Sequence, residues 1–349
     1  MGIFRWLARM LSEKARPPSY EPQPRRAPAR PGPEAAGALE DMPADPIPGT
    51  TLPRTLAYTY RSPMTGRMEV KEVAFGERAL TRHCGLKSRT LAYLAYGKPD
   101  AYRNVSIPRS SGGERLLHVP CPALRKAQKR ILRRILDKVI LHRACHGFRR
   151  GRSILTNAEP HLRKPVVLCL DIEDFFPSIT FPRVFGLFRS LGFPRKQAAL
   201  AARLTTWEGA LPQGAPTSPA LANIVCRRLD YRLTGLVEGR GGAYTRYADD
   251  LTLSGPLDLL NLLPLVRRIV AEEGFRLGDR KTRIMRAGAR QKVCGVVVNE
   301  KPALPRAVRR RIRAMEHRAS LPADARRAEP PRPEVLEGYR ALRAMFERS

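Results

Sequence analysis

Three carboxylates far apart in the chain, Asp171, Asp249 and Asp250, are the residues whose types and placement could do chemistry. Asp249 and Asp250 sit between two short apolar runs, 242–247 and 251–254, the pattern of a β-hairpin that lifts a carboxylate pair on its turn. An Asp-Asp turn alone means little, because Asp favours turns through its own local hydrogen bonds. Asp171 changes the weighting: it ends the apolar run Val166-Val167-Leu168-Cys169-Leu170, which reads as a buried strand. Like charges about 4 Å apart repel by roughly 4 kcal/mol at an effective dielectric near 20. A fold that gathers three carboxylates therefore needs a compensating cation or raised pKa values. Hard oxygen donors suit Mg²⁺, which takes one or two carboxylates plus substrate phosphates. Two such ions about 3.5–4 Å apart would stabilise both the attacking and the leaving oxygen of an in-line phosphoryl displacement. Three ordinary surface turns are the alternative that the carboxylates alone leave open.

The elements that must position them lie in a chain whose 349 residues allow about two domains. Lys and Arg number 64 against 32 Asp and Glu, so the formal net charge is +32. That excess is larger than solubility requires and is the electrostatic footprint of a nucleic-acid binder. The six cysteines form no C-x-x-C pair, so neither a zinc framework nor a redox motif is evident. Their scatter fits reduced thiols and a cytoplasmic protein. No apolar run is long enough to span a bilayer, and no signal peptide is evident.

Residues 1–16 have the pattern of a short basic amphipathic helix, although a frayed terminus reads the same way. Residues 17–52 hold ten of the 32 prolines and few large apolar residues, the composition of a disordered linker. The folded region is expected from about 53. Residues 69–97 read as helices. Residues 103–107 and 115–119 read as a hairpin around Ser110-Ser111-Gly112-Gly113. Apolar residues at 124, 127, 131, 135 and 139 predict a helix over 124–142. Further helices are expected at 181–191, 195–206, 216–236, 258–274, 305–319 and 334–347, a strand at 293–298 and a loop at 323–333.

Three segments carry a resemblance. Asp171-Ile172-Glu173-Asp174-Phe175-Phe176-Pro177-Ser178-Ile179 is the first. Leu211-Pro212-Gln213-Gly214-Ala215-Pro216-Thr217-Ser218-Pro219 is the second, and Tyr247-Ala248-Asp249-Asp250 the third. In order and spacing they resemble motifs A, B and C of the reverse transcriptase palm. The resemblance implies an α+β right-hand polymerase. Helices and fingers would occupy 53–163, a palm of antiparallel sheet flanked by helices 164–286, and a short helical thumb with a basic RNA-binding region 287–349. It implies that Asp171, Asp249 and Asp250 are catalytic and hold two Mg²⁺ ions. Residues 102–115 resemble the fingers hairpin, in which Arg109 and Arg115 would hold the triphosphate through bidentate hydrogen bonds. Ile172, Gln213 and Phe176 would contact the same nucleotide, Phe176 lying under the sugar and excluding a 2′-hydroxyl. Phe175 beside it reads as a core aromatic. Lys281 resembles the motif D lysine, a general acid for the leaving pyrophosphate.

Two shorter motifs narrow the resemblance. Asn157-Ala158-Glu159-Pro160-His161 matches the N-A-x-x-H signature of retron reverse transcriptases, and Val293-Cys294-Gly295 resembles their V-T-G signature with cysteine replacing threonine. The resemblance implies RNA contacts at Asn157, His161, Val293 and Gly295, and in the thumb at Arg309, Arg310 and Arg313. A retron enzyme would copy a structured noncoding RNA from dNTPs, priming on the 2′-hydroxyl of an internal guanosine, so that it holds template, primer and RNA–DNA hybrid and makes branched DNA. Retrons act in anti-phage defence, usually with a separate effector protein. A group II intron-like or other bacterial reverse transcriptase, and a non-catalytic RNA-binding protein on the same scaffold, are the alternatives. The short stretch after motif C and the intact carboxylates weigh against them.

Overall fold

The computed structural model describes residues 55–61, 68–74, 79–97, 101–108, 113–322 and 332–347. The expected helix at 1–16, the linker at 17–52, Arg109 and most of the loop at 323–333 lie outside the described residues. Strands β1 (Thr55–Arg61) and β2 (Met68–Ala74) form an antiparallel pair. This corrects the helical reading of 69–97 at its start, 69–74: Val73 joins Leu80, Leu86, Leu91 and Leu94 in one apolar series, yet Val70 and Val73 lie in a strand. Both are β-branched, and a strand rich in Thr and Tyr pairs with them. Helix begins only at Ala79–Cys84, followed by Ser88–Ala92 and one wider turn at Tyr93–Gly97.

The expected hairpin is β3 (Tyr102–Pro108) and β4 (Glu114–Pro120), in register from Tyr102–Pro120 to Pro108–Glu114. Helix Pro122–Arg134 starts on a proline, whose missing N–H costs nothing in the first turn. It ends earlier than its apolar period suggested, because Ile135 leaves helical geometry (φ −122°, ψ −65°) and only a single 3₁₀ turn, Leu136–Lys138, follows. Helix Ile154–Ala158 is capped by Ser153, whose Oγ accepts from the N–H groups of Leu155 and Thr156.

Strand β5 (Val166–Asp171) is buried along its whole length. Helices Phe181–Ser190 and Arg195–Thr205 follow, and the helix expected over 216–236 is two, Ser218–Val225 and Arg227–Glu238, parted at Cys226. Strands β6 (Ala243–Tyr247) and β7 (Asp250–Gly255) form the carboxylate hairpin. Beyond helix Leu263–Glu272, β8 (Arg283–Arg286) completes an antiparallel sheet of order β6-β7-β5-β8. The strand expected at 293–298 is a minimal hairpin, β9 (Lys292–Val293) and β10 (Val296–Val297). It turns on Cys294 and Gly295, both at positive φ. Helices Arg306–Ser320 and Pro333–Glu347 close the fold.

Successive residues of a strand face opposite sides of the sheet, and β5 uses both. Val166, Leu168 and Leu170 join the larger core with the helices of 181–238 and 263–272. Val167 and Cys169 join a second core with Ile154, Val293, Val296, Ile312, Met315, Leu336 and Leu342. The C-terminal helices are therefore packed on the sheet that carries the carboxylates. Among the described residues no helix is long and apolar enough to cross a membrane.

Candidate active site

Strand register brings the three carboxylates together. Asp171 ends β5 directly opposite Asp250 at the start of β7, and Asp249 occupies the turn before it. The Ile172 N–H donates to the Asp249 carbonyl (3.0 Å), and the Gly278 N–H donates to the Asp171 carbonyl (2.8 Å), so the strand ends are tied down. Burial, reinforced by the neighbouring charges of Asp249 and Asp171, pushes the Asp250 carboxyl up to about 7. Asp249 is raised by burial and by Asp171, with Lys281 and Arg115 drawing it back. Lys281 sits on the site itself, its Nζ 2.7 Å from Asp171 Oδ2. Among the described residues no group of three or more His, Cys, Asp or Glu side chains is arranged so that it could by itself hold a metal ion. The carboxylates are an open edge on which the lysine ammonium supplies the nearest positive charge.

A buried polar network beneath the turn escaped sequence reasoning. Arg246 and Asp230 are both fully buried. Arg246 Nε and Nη2 donate to the two oxygens of Asp230, each at 2.8 Å, and the Tyr244 hydroxyl donates to the same carboxylate. Arg246 Nη1 reaches the Ala248 carbonyl at 3.1 Å and Asn223 Oδ1 at 2.9 Å. Ala248 lies at φ 60°, a region that costs a non-glycine residue on the order of 1–3 kcal/mol and persists only where its surroundings dictate it. Arg246 holds the carbonyl of that residue. Asn223 Nδ2 in turn donates to the Gly147 carbonyl (2.8 Å), and a Cβ on Gly147 would stand 2.4 Å from the Ala248 nitrogen. The signal was present in the sequence: an arginine mid-strand and an aspartate on the apolar stripe Leu229, Asp230, Leu233, Val237 each demand a partner.

Of the nucleotide-site candidates, Lys281 contacts Asp171 and Arg115 acts on Asp249. The His118 N–H donates to the Gln213 carbonyl (2.7 Å), docking β4 on the Pro-Gln-Gly turn. Gly214 has φ 117°, and a Cβ there would stand 2.9 Å from the His118 carbonyl oxygen. Arg115 is exposed on β4 and close enough to influence Asp249. Phe176 is half-buried, its ring 5.4 Å from Phe175 and 6.3 Å from the partly exposed Phe148, whereas Phe175 is core. Ile172 turns its side chain into the core, which leaves only its backbone to meet a nucleotide.

Asn157, His161 and Val293, where RNA contacts are expected, have no exposed side-chain surface in the described structure. His161 is bracketed by hydroxyls, Nδ1 to Ser254 Oγ and Nε2 to Thr245 Oγ1, both at 2.7 Å. Thr245 Oγ1 also donates to the Asn157 carbonyl, so it accepts from the Nε2–H and leaves Nδ1 to accept from Ser254. Burial pushes this imidazole down to about 3 and keeps it neutral. Asn157 Nδ2 lies 3.4 Å from Cys294 Sγ, which in turn lies 3.9 Å from Asp250 Oδ2. The two short motifs thus pack on each other and brace the carboxylate edge. Gly295 is partly exposed, and Arg309, Arg310 and Arg313 project from the exposed face of their helix.

Comparison with known proteins places these features in context. The family model described as reverse transcriptase (RNA-dependent DNA polymerase) matches residues 103–311. The chain is 44% identical over 243 residues to the retron Mx65 reverse transcriptase of Myxococcus xanthus, covering 64% of this chain and 57% of that protein. It is 38% identical to the retron Mx162 reverse transcriptase of the same organism (68% and 58%) and 38% identical to the retron Ec86 reverse transcriptase of Escherichia coli (65% and 73%). The chain thus spans less than two thirds of the two Myxococcus proteins.

Proposed function

This chain belongs to the reverse transcriptase family, among its retron-type members, and on that premise we propose that it copies a structured noncoding RNA into single-stranded DNA. The observation that carries the reading is the cross-strand pair Asp171–Asp250 beside Asp249, with Asp250 raised to about 7 by burial and by those neighbours. Such crowding of like charges marks a place built for cations. The donor set fits the divalent ions that reverse transcriptases use. We assign it two Mg²⁺ ions held by Asp171, Asp249 and Asp250. When bound, they would neutralise the phosphates and lower the pKa of the attacking hydroxyl.

The protein's own groups do the rest in this reading. Arg115, with Arg109, holds the triphosphate. Phe176 packs against the sugar and selects deoxyribose. Gln213 and Gly214 approach the nucleotide from a turn fixed by His118. Lys281, whose ammonium sits on Asp171, would be the general acid that protonates the departing pyrophosphate. The fingers, palm and thumb would be residues 53–163, 164–286 and 287–349. Priming follows the same chemistry: a 2′-oxygen of the folded RNA attacks the α-phosphorus of the first dNTP, a phosphodiester forms and pyrophosphate leaves. The product is branched RNA–DNA, with a role in anti-phage defence beside a separate effector. The test is to give purified protein dNTPs, Mg²⁺ and its co-purifying RNA without a primer. The expected product is DNA whose 5′ end stays joined to RNA until a 2′,5′-debranching enzyme releases it. DNA made only from an added primer would exclude the retron reading and leave a general reverse transcriptase.

A further inference from the structure

Phe148 stands in a backbone conformation that its residue type does not favour. Its φ is 57°, in the left-handed region, where a bulky side chain is strained and glycine or asparagine is not. Its ring is also 43% exposed, so burial does not account for an aromatic there. Glycine would serve better at this position if the loop only connected its neighbours.

The chain on both sides of Phe148 is clamped. The Arg246 N–H donates to the Ala144 carbonyl and the His146 N–H to the Arg246 carbonyl, both at 2.8 Å. Cys145 thereby forms a parallel bridge with Arg246 on β6. Asn223 Nδ2 holds the Gly147 carbonyl, and Gly147 lies so close to the Ala248 nitrogen that a Cβ would not fit. After Phe148, Arg149 Nη1 donates to the carbonyls of His142 (3.0 Å) and Cys145 (3.4 Å). The hairpin that carries Asp249 and Asp250 thus fixes where Phe148 begins, and these bonds maintain its strained backbone.

What the clamp delivers is a ring beside Phe176. The two centroids are 6.3 Å apart with the planes at 44°, within the range of an attractive aromatic pair. On its other side Phe176 meets the buried Phe175, 5.4 Å away at 54°. Three rings therefore stand in a row from the core to the surface, with Phe176 in the middle. Without Phe148 the Phe176 ring has an open side into which it can turn. We propose that Phe148 is a positioning residue for sugar selection: it holds the Phe176 ring where that ring meets a ribose 2′-hydroxyl. The inference rests on the reading of Phe176 as the residue that excludes that hydroxyl. It adds that the exclusion depends on a second ring, supplied by a loop outside the carboxylate-bearing segments.

The experiment measures kcat/KM for one dNTP and the matching rNTP on an annealed primer–template. Wild type is compared with F148A, F148Y, F176A and F148A/F176A. In F148A the preference for dNTP should fall roughly three- to tenfold, the factor equivalent to the coupling in an aromatic pair. The fall should come from a rise in kcat/KM for the rNTP, which damage to the fold would not produce. F148Y keeps the ring and should keep the wild-type preference. The double variant should discriminate as well as F176A alone, because a residue acting through Phe176 has nothing to hold once that ring is gone. Where F148A melts early, F148G, which suits the positive φ, is read in its place. A wild-type preference in F148A, with F176A impaired, would overturn the proposal and leave the reading of Phe176 intact. Losses that multiply in the double variant would make the two rings independent and overturn it as well. So would a loss in F148Y as large as in F148A, or a fall due only to slower dNTP incorporation. F176A that selects like wild type would bring down the reading of Phe176 and this proposal together.

Discussion

Asp250 concentrates the electrostatics of the site at one residue. Its folded pKa of about 7 lies above the unfolded value near 3.9. Folding therefore takes up a proton between those values. The stability this contributes is complete below the unfolded pKa and lost as pH rises through about 7. Metal-free protein should consequently melt at lower temperature above about pH 7 than below it. Asp250→Asn should flatten that slope and stabilise the metal-free protein at the alkaline end by on the order of a few kcal/mol. Melting curves in chelator across this range would show it, and an unaltered slope in the variant would contradict it. At Phe176 the expectation concerns sugar choice. The ring is half-buried against Phe175 and faces Phe148 across 6.3 Å, so Phe176→Ala opens space at the surface of the site. Ribonucleotide incorporation should rise at least tenfold relative to dNTP, a loss of about 1.4 kcal/mol of discrimination. Unchanged discrimination would reduce Phe176 to a packing residue.

At the scale of elements, the carboxylate turn is only as well placed as the hairpin that carries it. Arg246 holds the Ala248 carbonyl and is itself balanced by Asp230. Asp230→Asn leaves a buried guanidinium uncompensated, a change that costs about 3–5 kcal/mol in comparable pairs. The variant should lose that much in urea unfolding and lose turnover more than nucleotide affinity, because the carboxylate turn loses its support while Arg115 on β4 keeps its own. A variant as stable and as active as wild type would remove the network from the explanation. The hairpin itself was legible in the sequence, since its alternating strands and Asp-Asp turn are local signals. The network beneath it was not assigned, because its members lie at 147, 223, 230 and 246 and meet only through tertiary packing. The N-A-x-x-H motif was legible as a motif but not as a buried brace. Neither letters nor spacing say that Ser254 and Thr245 will enclose His161. Short elements misled as well: β2 imitated a helix, and two-residue strands at β9 and β10 read as one.

The whole molecule adds charge and a shared sheet. Its net +32 is distributed over surfaces that include the exposed arginines of helix Arg306–Ser320, whose buried Ile312 and Met315 fix that face outward on the second core. Neutralising Arg309, Arg310 and Arg313 should weaken binding of the cognate RNA and flatten its log–log salt slope by about 2. Extension of a generic annealed primer–template should suffer less, since the carboxylates are untouched. Equal loss on both substrates would mean a general duplex grip, and no loss would mean a solvated face. The α+β architecture was readable because the palm-like motifs mark strand ends. The packing of the C-terminal helices on β5 was not, since a continuous apolar run such as 166–170 does not say what covers each face. All of this converges on one site, and the most direct test is RNA-templated primer extension by purified Asp249→Asn beside wild type in Mg²⁺. The substitution keeps the shape of the turn and removes one charge. DNA synthesis should fall by several orders of magnitude while RNA affinity stays within about twofold, a difference below 0.5 kcal/mol. Extension by the variant at the wild-type rate would contradict the assignment of this carboxylate edge as the catalytic centre.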